Sequence, residues 1–364
     1  MPAINSVGSG YSFGFLRQHP LFVIQLHQVD ISLISHLIPE GGVTVRAYAA
    51  QRLALGVPTI FGAALLIFVI MRVVPGDVAT LIAIGGSEGE EQISAAAIEQ
   101  MRENLGLNEP LYMQFATWMW DLAHWDLGRS LWTRQPVDEL LVRRYPLTLQ
   151  LSAMALLLSW IIAIPIGILT AVKQDTPLDY IPRLMSIVGL AIPNFWLGIL
   201  VMTYMAAILG WVPALTYSVP WKDPMENFSQ LMLPAVVLGT ALAALQTRMT
   251  RTTMLEVLRE DYIRTANAKG LSSRAILWRH ALKNAAIPVI TISGTQLGGL
   301  ISGSLVTEVV FNLPGLGAAT VDAVRLRDYP VIQTLVLFIT VAHIVVNLGV
   351  DLLYGFLDPR IRFA

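Results

Sequence analysis

Three ionisable side chains fall in or beside the apolar stretches of this sequence and could do chemistry there: Glu308, His343 and Asp351. A carboxylate or an imidazole inside a helix bundle can carry a proton or bind a cation. Glu308 and Asp351, however, lie at the predicted ends of their stretches. A lone histidine such as His343 more often bonds to a neighbouring helix than forms a proton relay. Ion-driven chemistry within this chain is therefore not expected, and any energy source is expected to lie outside it.

Two common catalytic motifs are missing from the sequence. It has no GxxxxGK(S/T) phosphate-binding loop and no HExxH zinc motif. Six histidines follow no metal-ligand spacing: His19, His27, His36, His124, His280 and His343. Because the chain has no cysteine, disulfides and zinc–thiolate or iron–sulfur sites are excluded. The sequence thus predicts a protein that is not an enzyme and holds neither a metal nor another cofactor.

The most strongly charged segment, residues 256–284, reads EVLREDYIRTANAKGLSSRAILWRHALKN. Acidic residues are expected in its first turns, where they suit the positive end of a helix dipole: Glu256, Glu260 and Asp261. Gly270 is expected to end the first helix in a left-handed conformation, and Ser272 to cap a second helix. A basic helical loop between membrane spans is typical of a docking element for a soluble partner. The alternative is a solvated loop that merely follows the positive-inside rule.

A second candidate region is the apolar stretch that includes residues 288–310, PVITISGTQLGGLISGSLVTEVV. Its glycines are paired four residues apart, a spacing that lets helices approach closely. Its hydroxyl and amide side chains would give the helix a polar side. That side either bonds to neighbouring helices or lines a polar path. The candidate path-lining residues are Asn194, Thr291, Thr295, Gln296, Ser302 and Glu308.

Membrane-spanning helices must position these residues. Of the 364 residues, 55% are hydrophobic and only 13% are charged, whereas soluble domains carry roughly a quarter charged residues. Six apolar runs are long enough to span a bilayer: Leu53–Met71, Leu147–Val172, Leu184–Val212, Leu231–Thr247, Ala285–Thr307 and Val331–Val350. Prolines are expected to kink the second, third and fourth runs, at Pro165, Pro193 and Pro234. We therefore predict an all-α membrane protein with six transmembrane helices.

Loop charges predict the orientation. The loops assigned to the cytosol carry twelve lysines and arginines, whereas the outer loops 213–230 and 311–330 carry three. Both termini are therefore expected in the cytosol. The long loop 75–146 is expected outside, because its tryptophans suit the membrane–water interface; anchoring is favoured over ligand stacking for Trp118, Trp120, Trp125 and Trp132. Residues 94–105 of this loop are predicted to be helical, and the net charge of −1 predicts no nucleic-acid partner.

These features divide the chain into four parts. They are an N-terminal extension (1–45), a first helix with the long loop (46–142), a five-helix core that includes the charged segment (143–358) and a tail (359–364). Leu21–Ile38 is too polar to span a bilayer. It could be an interfacial amphipathic helix or a poorly ordered extension, or the true start could lie near Val43. A signal peptide is not expected.

Several short segments together resemble a known family, over nearly everything from about Val45 to the end. They are RVVPGD (72–77), NLGLNEPLYMQF (104–115), WDLGRSL (125–131), RRYPLTLQL (143–151), IPNFWLG (192–198), EDYIRTANAKGLS (260–272), RHALKNA (279–285), VTEVVFNLPGLG (306–317) and LDPRIR (357–362). With them the chain resembles the first of the two permease subunits of dipeptide/oligopeptide/nickel ABC importers. The resemblance implies the type I importer permease fold and a bacterial cytoplasmic (inner) membrane location.

In that family, the loop between the fourth and fifth helices carries an "EAA…G" motif whose short helix fits a groove on the ATPase subunit. The resemblance places the final alanine at Ala266, the glycine at Gly270 and a later leucine at Leu282. Arg264 and Thr265 occupy the first two positions, so a contact through a glutamate carboxylate is not expected. The candidate coupling residues are Arg264, Thr265, Ala266, Lys269, Gly270, Leu271, Ser272 and Leu282.

The resemblance also implies the partners: a second homologous permease, two ATPase subunits, an extracytoplasmic substrate-binding protein and membrane lipid. The expected cargo is a dipeptide or oligopeptide, with nickel or a glutathione-type molecule as the alternative. A secondary transporter that acts alone is the competing hypothesis, and the scarcity of carboxylates at membrane depth argues against it.

Overall fold

The computed structural model describes residues 45–73, 79–80, 95–104, 106–210, 212 and 216–357. Regular secondary structure in this part of the chain is helical, and an isolated bridge between Arg129 and Pro136 is the β pairing found there. The all-α prediction is confirmed. The extension through residue 44, the helix proposed for residues 21–38 and the tail 359–364 lie outside the described residues.

The first half of the chain contains a membrane-length helix, two short helices and a very long helix. They are α1 (Val45–Val73), α2 (Ala95–Asn104), α3 (Leu111–Ala123) and α4 (Val137–Val172). Helix α2 agrees with the predicted helix 94–105, and Gly106 follows with a φ of +64°. Helix α4 begins ten residues before the apolar run at Leu147. Its 36 residues span about 54 Å at 1.5 Å per residue.

The third predicted span is broken. Helices α5 (Pro177–Ala191) and α6 (Asn194–Leu209) meet at 99°, so the kink predicted at Pro193 is confirmed and is sharp enough to interrupt the helix. Pro193 lacks an N–H and disfavours helical backbone at the preceding residue, and Ile192 is accordingly extended (φ −84°, ψ 121°). The described residues contain five helices long and apolar enough to cross a membrane, or six if this bent pair is one span.

The second half continues with α7 (Pro224–Leu258), α8 (Asp261–Ala268), α9 (Ser273–Ala275), a π-helical turn (Ile276–Ala281), α10 (Leu282–Gly303), α11 (Leu305–Val310), α12 (Leu316–Leu326) and α13 (Tyr329–Leu357). Helix α7 starts with Pro224 in its first turn, and the Asp223 carboxylate caps it by accepting a bond from the Glu226 N–H at 3.0 Å. Pro165 and Pro234 lie inside the continuous helices α4 and α7, so neither breaks its span as Pro193 does.

Three apolar clusters lie in succession along α4. Its first turns, at Val137 and Leu141, pack with α12 and α13. Its middle packs with α7 and Phe311, and its last turns pack with α8 and the π-helical turn. The bundle thus has two ends, which we name by their contents: the loop end, with α3, residues 124–136 and α12, and the segment end, with α8 and α9.

Candidate functional site

The charged segment folds as two short helices separated by a turn at Gly270. Gly270 has a φ of +75°, and the Ser272 Oγ accepts a bond from the Ala275 N–H at 3.4 Å. Both sequence predictions for these residues are confirmed. The expectation that Glu256 belongs to the first turn of the segment is wrong, because α7 continues to Leu258 and keeps the Met254 side chain fully buried.

Helix α8 has one face inside the protein and one outside. Ile263 and Ala266, three residues apart, are buried in the apolar cluster at the segment end. Arg264 and Thr265 point outward, and Arg264 forms an exposed ion pair with Asp261 at 3.1 Å. Ala266 therefore fixes α8 to its own chain and offers no surface to a partner.

The exposed part of the segment runs through the turn. The side chains or backbone of four candidate coupling residues are exposed there: Lys269, Gly270, Leu271 and Ser272. Leu282 is half-buried and packs on the internal cluster, as Ala266 does. Sequence reasoning missed two exposed aromatic side chains, Tyr262 and Trp278. Their position within a charged, otherwise polar stretch was a usable signal.

From Ser273 to Gly303 the chain is continuously helical, through α9, the π-helical turn and α10. The residues after the Gly270 turn are therefore joined to α10 without an intervening loop. A π-turn inside an α-helix is rare and occurs frequently at functional sites. A displacement of the exposed turn would be carried directly into α10.

The glycines of α10 have different surroundings: two pack against α13, and one faces open space. A Cβ at Gly294 would lie 2.0 Å from the Val350 Cγ2, and a Cβ at Gly298 would lie 2.9 Å from the His343 Nδ1. Both glycines thus let α10 approach α13 closely. A Cβ at Gly299, in contrast, would meet nothing within 4 Å. Gly299 lies in an exposed stripe with Thr295 and Ser302, four residues before it and three after it.

A buried polar network holds another side of α10. The Gln246 side chain of α7 is fully buried; its Nε2 donates to the Gln296 Oε1 at 2.7 Å and to the Ser293 Oγ at 3.2 Å. Its Oε1 accepts a bond from the Ser159 Oγ of α4 at 2.8 Å. Gln246 was missed from sequence because a single amide in an apolar run has no periodic signature.

The remaining path-lining candidates differ in exposure. Asn194 is exposed at the first position of α6. Thr291 is half-buried, and its hydroxyl donates to the Ile287 carbonyl oxygen of its own helix at 3.1 Å. His343 makes no side-chain hydrogen bond within the described residues and instead packs against Gly298, contrary to expectation. Asp351 pairs with Arg52 of α1 at 3.3 Å.

Glu308 does not lie on an open face. Its side chain is fully buried, with Oε1 accepting bonds from the Thr148 Oγ1 (2.7 Å) and the Ser304 Oγ (2.9 Å). Oε2 accepts bonds from the backbone N–H groups of Gly317 (2.8 Å) and Ala318 (3.1 Å), in the first turn of α12. The carboxylate thus caps α12. Its prediction as a path-lining residue is corrected, because every direction around it is occupied by its own chain.

Close approach of backbone to the Glu308 carboxylate explains the glycines that follow it. A Cβ at Gly315 would lie 2.3 Å from the Glu308 Cδ, and one at Gly317 would lie 2.3 Å from the Leu305 Cα. The Thr148 Oγ1 of α4 also accepts a bond from the Leu316 N–H at 2.9 Å. The segment VFNLPGLG is therefore built around a buried charge.

An ion pair joins α5 to α7 near the segment end. Arg251 donates from Nε and from one Nη to the two carboxylate oxygens of Asp179, each at 2.7 Å. Asp179 is fully buried and Arg251 is 17% exposed. Such bidentate geometry fixes both side chains, and loss of either partner would leave a buried charge uncompensated.

The two loops that were predicted to lie on the same side of the membrane do meet at the loop end. The buried Asp328 carboxylate accepts bonds from the Ser130 Oγ at 2.5 Å and from the Leu131 N–H at 3.1 Å. The Trp132 Nε1 donates to the Leu326 carbonyl oxygen at 2.7 Å, so this tryptophan anchors one loop to the other. In the loop before α7, burial raises the pKa of the Tyr217 hydroxyl, which donates to the Gln150 Oε1 at 2.9 Å.

Comparison with known families identifies the class of the chain. Residues 163–363 match the family described as "Binding-protein-dependent transport system inner membrane component". Residues 47–152 match the family described as "Binding-prot-dependent transport system membrane comp, N-term". Because the first match covers more than half of the chain, the protein belongs to this family of inner-membrane permeases.

Curated relatives agree with this assignment. The dipeptide transport system permease protein DppB of Alkalihalophilus pseudofirmus is 40% identical over 338 residues, which cover 87% of this chain and 99% of the relative. The oligopeptide transport system permease protein AppB of Bacillus subtilis is 41% identical over 322 residues, with the same coverage. The Escherichia coli dipeptide permease DppB is 38% identical, covering 86% and 98%.

Among solved structures, the inward-facing MetNI methionine ABC transporter aligns with a TM-score of 0.49 and 18% identity, over 60% of this chain and 96% of that chain. The family and the all-α membrane fold predicted from sequence are thus confirmed by the family matches and the helices. The chain is a multi-pass inner-membrane permease of a binding-protein-dependent transport system.

Proposed function

We propose that this chain forms half of the membrane pore of an ATP-driven importer of dipeptides or oligopeptides. The relatives that span nearly the whole chain at about 40% identity are named as dipeptide and oligopeptide permeases, which supports this cargo class. In this proposal ATP is hydrolysed by two separate subunits, and an extracytoplasmic binding protein delivers the peptide. The chain itself moves between inward-open and outward-open arrangements.

The observation that carries the proposal is the continuous helix from Ser273 to Gly303. At one end it begins beside the exposed Gly270 turn, and near the other it presents the exposed stripe of Thr295, Gly299 and Ser302. An ATPase subunit that binds the Gly270 turn would therefore move the stripe as part of one rigid element. Arg264, Thr265, Lys269, Leu271 and Ser272 would form the contact surface, with Tyr262 and Trp278 beside them.

The open stripe on α10 supports a role in the translocation path. Two other sides of α10 are occupied, one by α13 at Gly294 and Gly298 and the other by the Gln246 network. The stripe carries small and hydroxyl-bearing residues with space above Gly299. We assign this face to the path shared with a second, homologous permease, with Gln296 positioned behind it by Gln246.

The proposed orientation puts the segment end in the cytosol and the loop end outside. It follows from the positive-inside bias of the loops and from the need of an ATPase for cytosolic ATP. Both chain termini are then cytosolic. The joined loops held by Asp328 and Trp132 would present a fixed surface to the binding protein.

Reconstituted uptake tests the proposal. The chain, co-expressed with its permease and ATPase partners, is placed in proteoliposomes that contain ATP, and radiolabelled dipeptide is added with the binding protein. Uptake is expected only with all components. Uptake that persists without the ATPase subunits but requires an ion gradient would instead identify a secondary transporter and overturn the proposal.

A further inference from the structure

A polar cavity of about 290 Å³ lies at the loop end, away from the α10 stripe. Helix α1 contributes Arg72, α3 contributes Gln114 and Asp121, and α13 contributes Gln333; Asp126 comes from the turn after α3. Three of the segments that carry the family resemblance, those beginning at residues 72, 104 and 125, thus contribute residues to one cavity. The coupling and path-lining roles proposed above make no use of it.

Arg72 is held in place in this cavity with one donor group unused. Its Nε and Nη2 donate to the Gln114 Oε1 at 3.0 and 2.8 Å. Its guanidinium lies 4.7 Å from the centre of the Phe68 ring and 5.5 Å from that of Tyr329. The buried Nη1 has no acceptor within the described residues. Buried polar atoms are nearly always bonded, so Arg72 brings to the cavity lining a cationic group that its own chain does not fully satisfy.

Gln333 provides a second, independent indication. Its side chain is only 6% exposed, lines the same cavity and forms no hydrogen bond within the part of the chain that the structure describes. A primary amide carries two N–H donors and an acceptor oxygen, so an amide that lines a cavity without a protein partner can bond to a ligand there. Together, Arg72 and Gln333 offer donors to an anion such as a carboxylate.

The cavity is also lined by acidic side chains, which could bind a positively charged group. Asp121 is half-buried, and its carboxylate makes no ion pair or hydrogen bond among the described residues. Glu109 and Asp126 also line the cavity, so carboxylates outnumber the single guanidinium there. A ligand with a carboxylate alone would meet this excess of negative charge. A ligand that also carries an ammonium group would satisfy both sets of residues.

We propose that this cavity binds the charged ends of a zwitterionic amino acid or short peptide. Arg72 and Gln333 hold the carboxylate, Asp121 holds the ammonium group, and the Phe68 and Trp118 rings border the side chain. The volume lies just below the range of about 300–1,000 Å³ typical of drug-sized ligands, which suits a single amino acid or a dipeptide. The choice of ligand rests on the proposed peptide-import function. The site would hold cargo at the loop end, apart from both the α10 stripe and the binding protein.

Calorimetry on the transporter complex, purified through a tag on this chain and without binding protein or ATP, tests the site. L-Alanyl-L-leucine is expected to bind saturably. N-acetyl-L-alanyl-L-leucinamide, which lacks both charges, is expected to bind about 100-fold more weakly, the product of two lost charge-assisted contacts worth about tenfold each. Equal binding of the capped peptide, or no binding of the free one, would overturn the inference. So would equal competition by glycerophosphoethanolamine, which would reveal a lipid headgroup site.

Two variants locate the binding. Gln333→Leu and Asp121→Asn are each expected to weaken dipeptide binding by about tenfold. Asp138→Asn, an exposed acid on the same end that does not line the cavity, is expected to bind as wild type. Size-exclusion chromatography checks assembly, and Asp121→Asn carries the test if Gln333→Leu does not assemble. Wild-type affinity in assembled Asp121→Asn would overturn the assignment.

The outcomes separate this inference from the proposed function. If ATP-driven peptide uptake is present but the complex without binding protein does not bind the dipeptide, the cavity inference fails and the function stands. If the dipeptide binds but no ATP-driven peptide uptake occurs, the proposed function fails and the cavity remains a zwitterion site.

Discussion

The turn that follows Glu308, between α11 and α12, and the turn at Gly270 lie at opposite ends of the bundle, and each connects two short helices through a glycine-containing stretch. At the loop end, the Glu308 carboxylate is fully buried and accepts four hydrogen bonds from its own chain. At the segment end, the residues from Lys269 to Ser272 are exposed. The contrast teaches that similar helical turns can serve internal structure at one end and leave a surface open to a partner at the other.

The charged segment itself also combines buried residues with exposed ones. Ile263 and Ala266 pack inward, whereas Arg264 and Thr265 point outward from the same two turns of α8. The inward residues fix the position of the helix, so that the outward residues can present a defined surface. A motif matched by residue type alone does not separate these two roles.

The largest expected effect is on uptake by variants of Gly270. Valine is strained at a φ of +75°, by about 1–2 kcal/mol or more, whereas asparagine tolerates this conformation. Because no atom lies within 4 Å of a Cβ at this position, the effect is conformational and not steric. Gly270→Val is expected to lower ATP-driven uptake at least about tenfold, as 1.4 kcal/mol corresponds to tenfold, while Gly270→Asn retains most of it. Equal uptake by the two variants would remove the turn from the coupling account.

A smaller effect on uptake is expected at α10, where leucine at two adjacent glycines should act differently on uptake and on the free energy of unfolding. Gly299→Leu is not expected to lower the free energy of unfolding, because its Cβ enters open space and leucine favours a helix more than glycine does. It should nevertheless reduce uptake by filling the proposed path. Gly298→Leu is expected to lower the free energy of unfolding by about 1–3 kcal/mol, because it meets His343. Thermal unfolding and uptake, measured on both variants, check this pair; normal uptake by Gly299→Leu would contradict the path assignment.

The smallest expected effect on uptake is at Glu308. Glu308→Gln places an NH₂ group among four donors, so it should lower the free energy of unfolding by about 1–3 kcal/mol. Uptake per assembled transporter should remain close to wild type, because this carboxylate caps α12 and does not face the path. The matched control is Glu139→Gln, an exposed partner in an ion pair with Arg143, expected within about 0.5 kcal/mol of wild type. Complete loss of uptake by assembled Glu308→Gln would show a functional charge.

Much of the fold was predictable because the length of an apolar run directly reflects the thickness of the bilayer. The Gly270 turn and the Ser272 cap were also predictable, since each depends on local backbone chemistry. The contacts between residues that are far apart in the chain were not predictable. The place of the bend at Pro193 was predicted, but its angle of 99° and the close packing of α6 on Phe311, where a Cβ at Gly198 would lie 3.2 Å away, were not. The burial of Glu308 depends on Thr148, which is 160 residues away.

The candidate site shows the same limit. Residue types indicated a polar side on α10, but only the packing of α13 and the Gln246 network showed which positions remain open. Gly294 and Gly299 look alike in sequence, and the distances to their neighbours separate them.

Site-specific cross-linking at the Gly270 turn tests the central claim most directly, because this chain has no cysteine and an introduced one is its single thiol. Ser272→Cys is introduced into the assembled transporter, treated with a short photoactivatable thiol reagent and analysed by mass spectrometry. The account predicts an adduct between Cys-substituted Ser272 and a nucleotide-hydrolysing subunit, with no such adduct from Ser302→Cys at the far end of the same helix. An active transporter in which Ser272→Cys never cross-links to that subunit would contradict it.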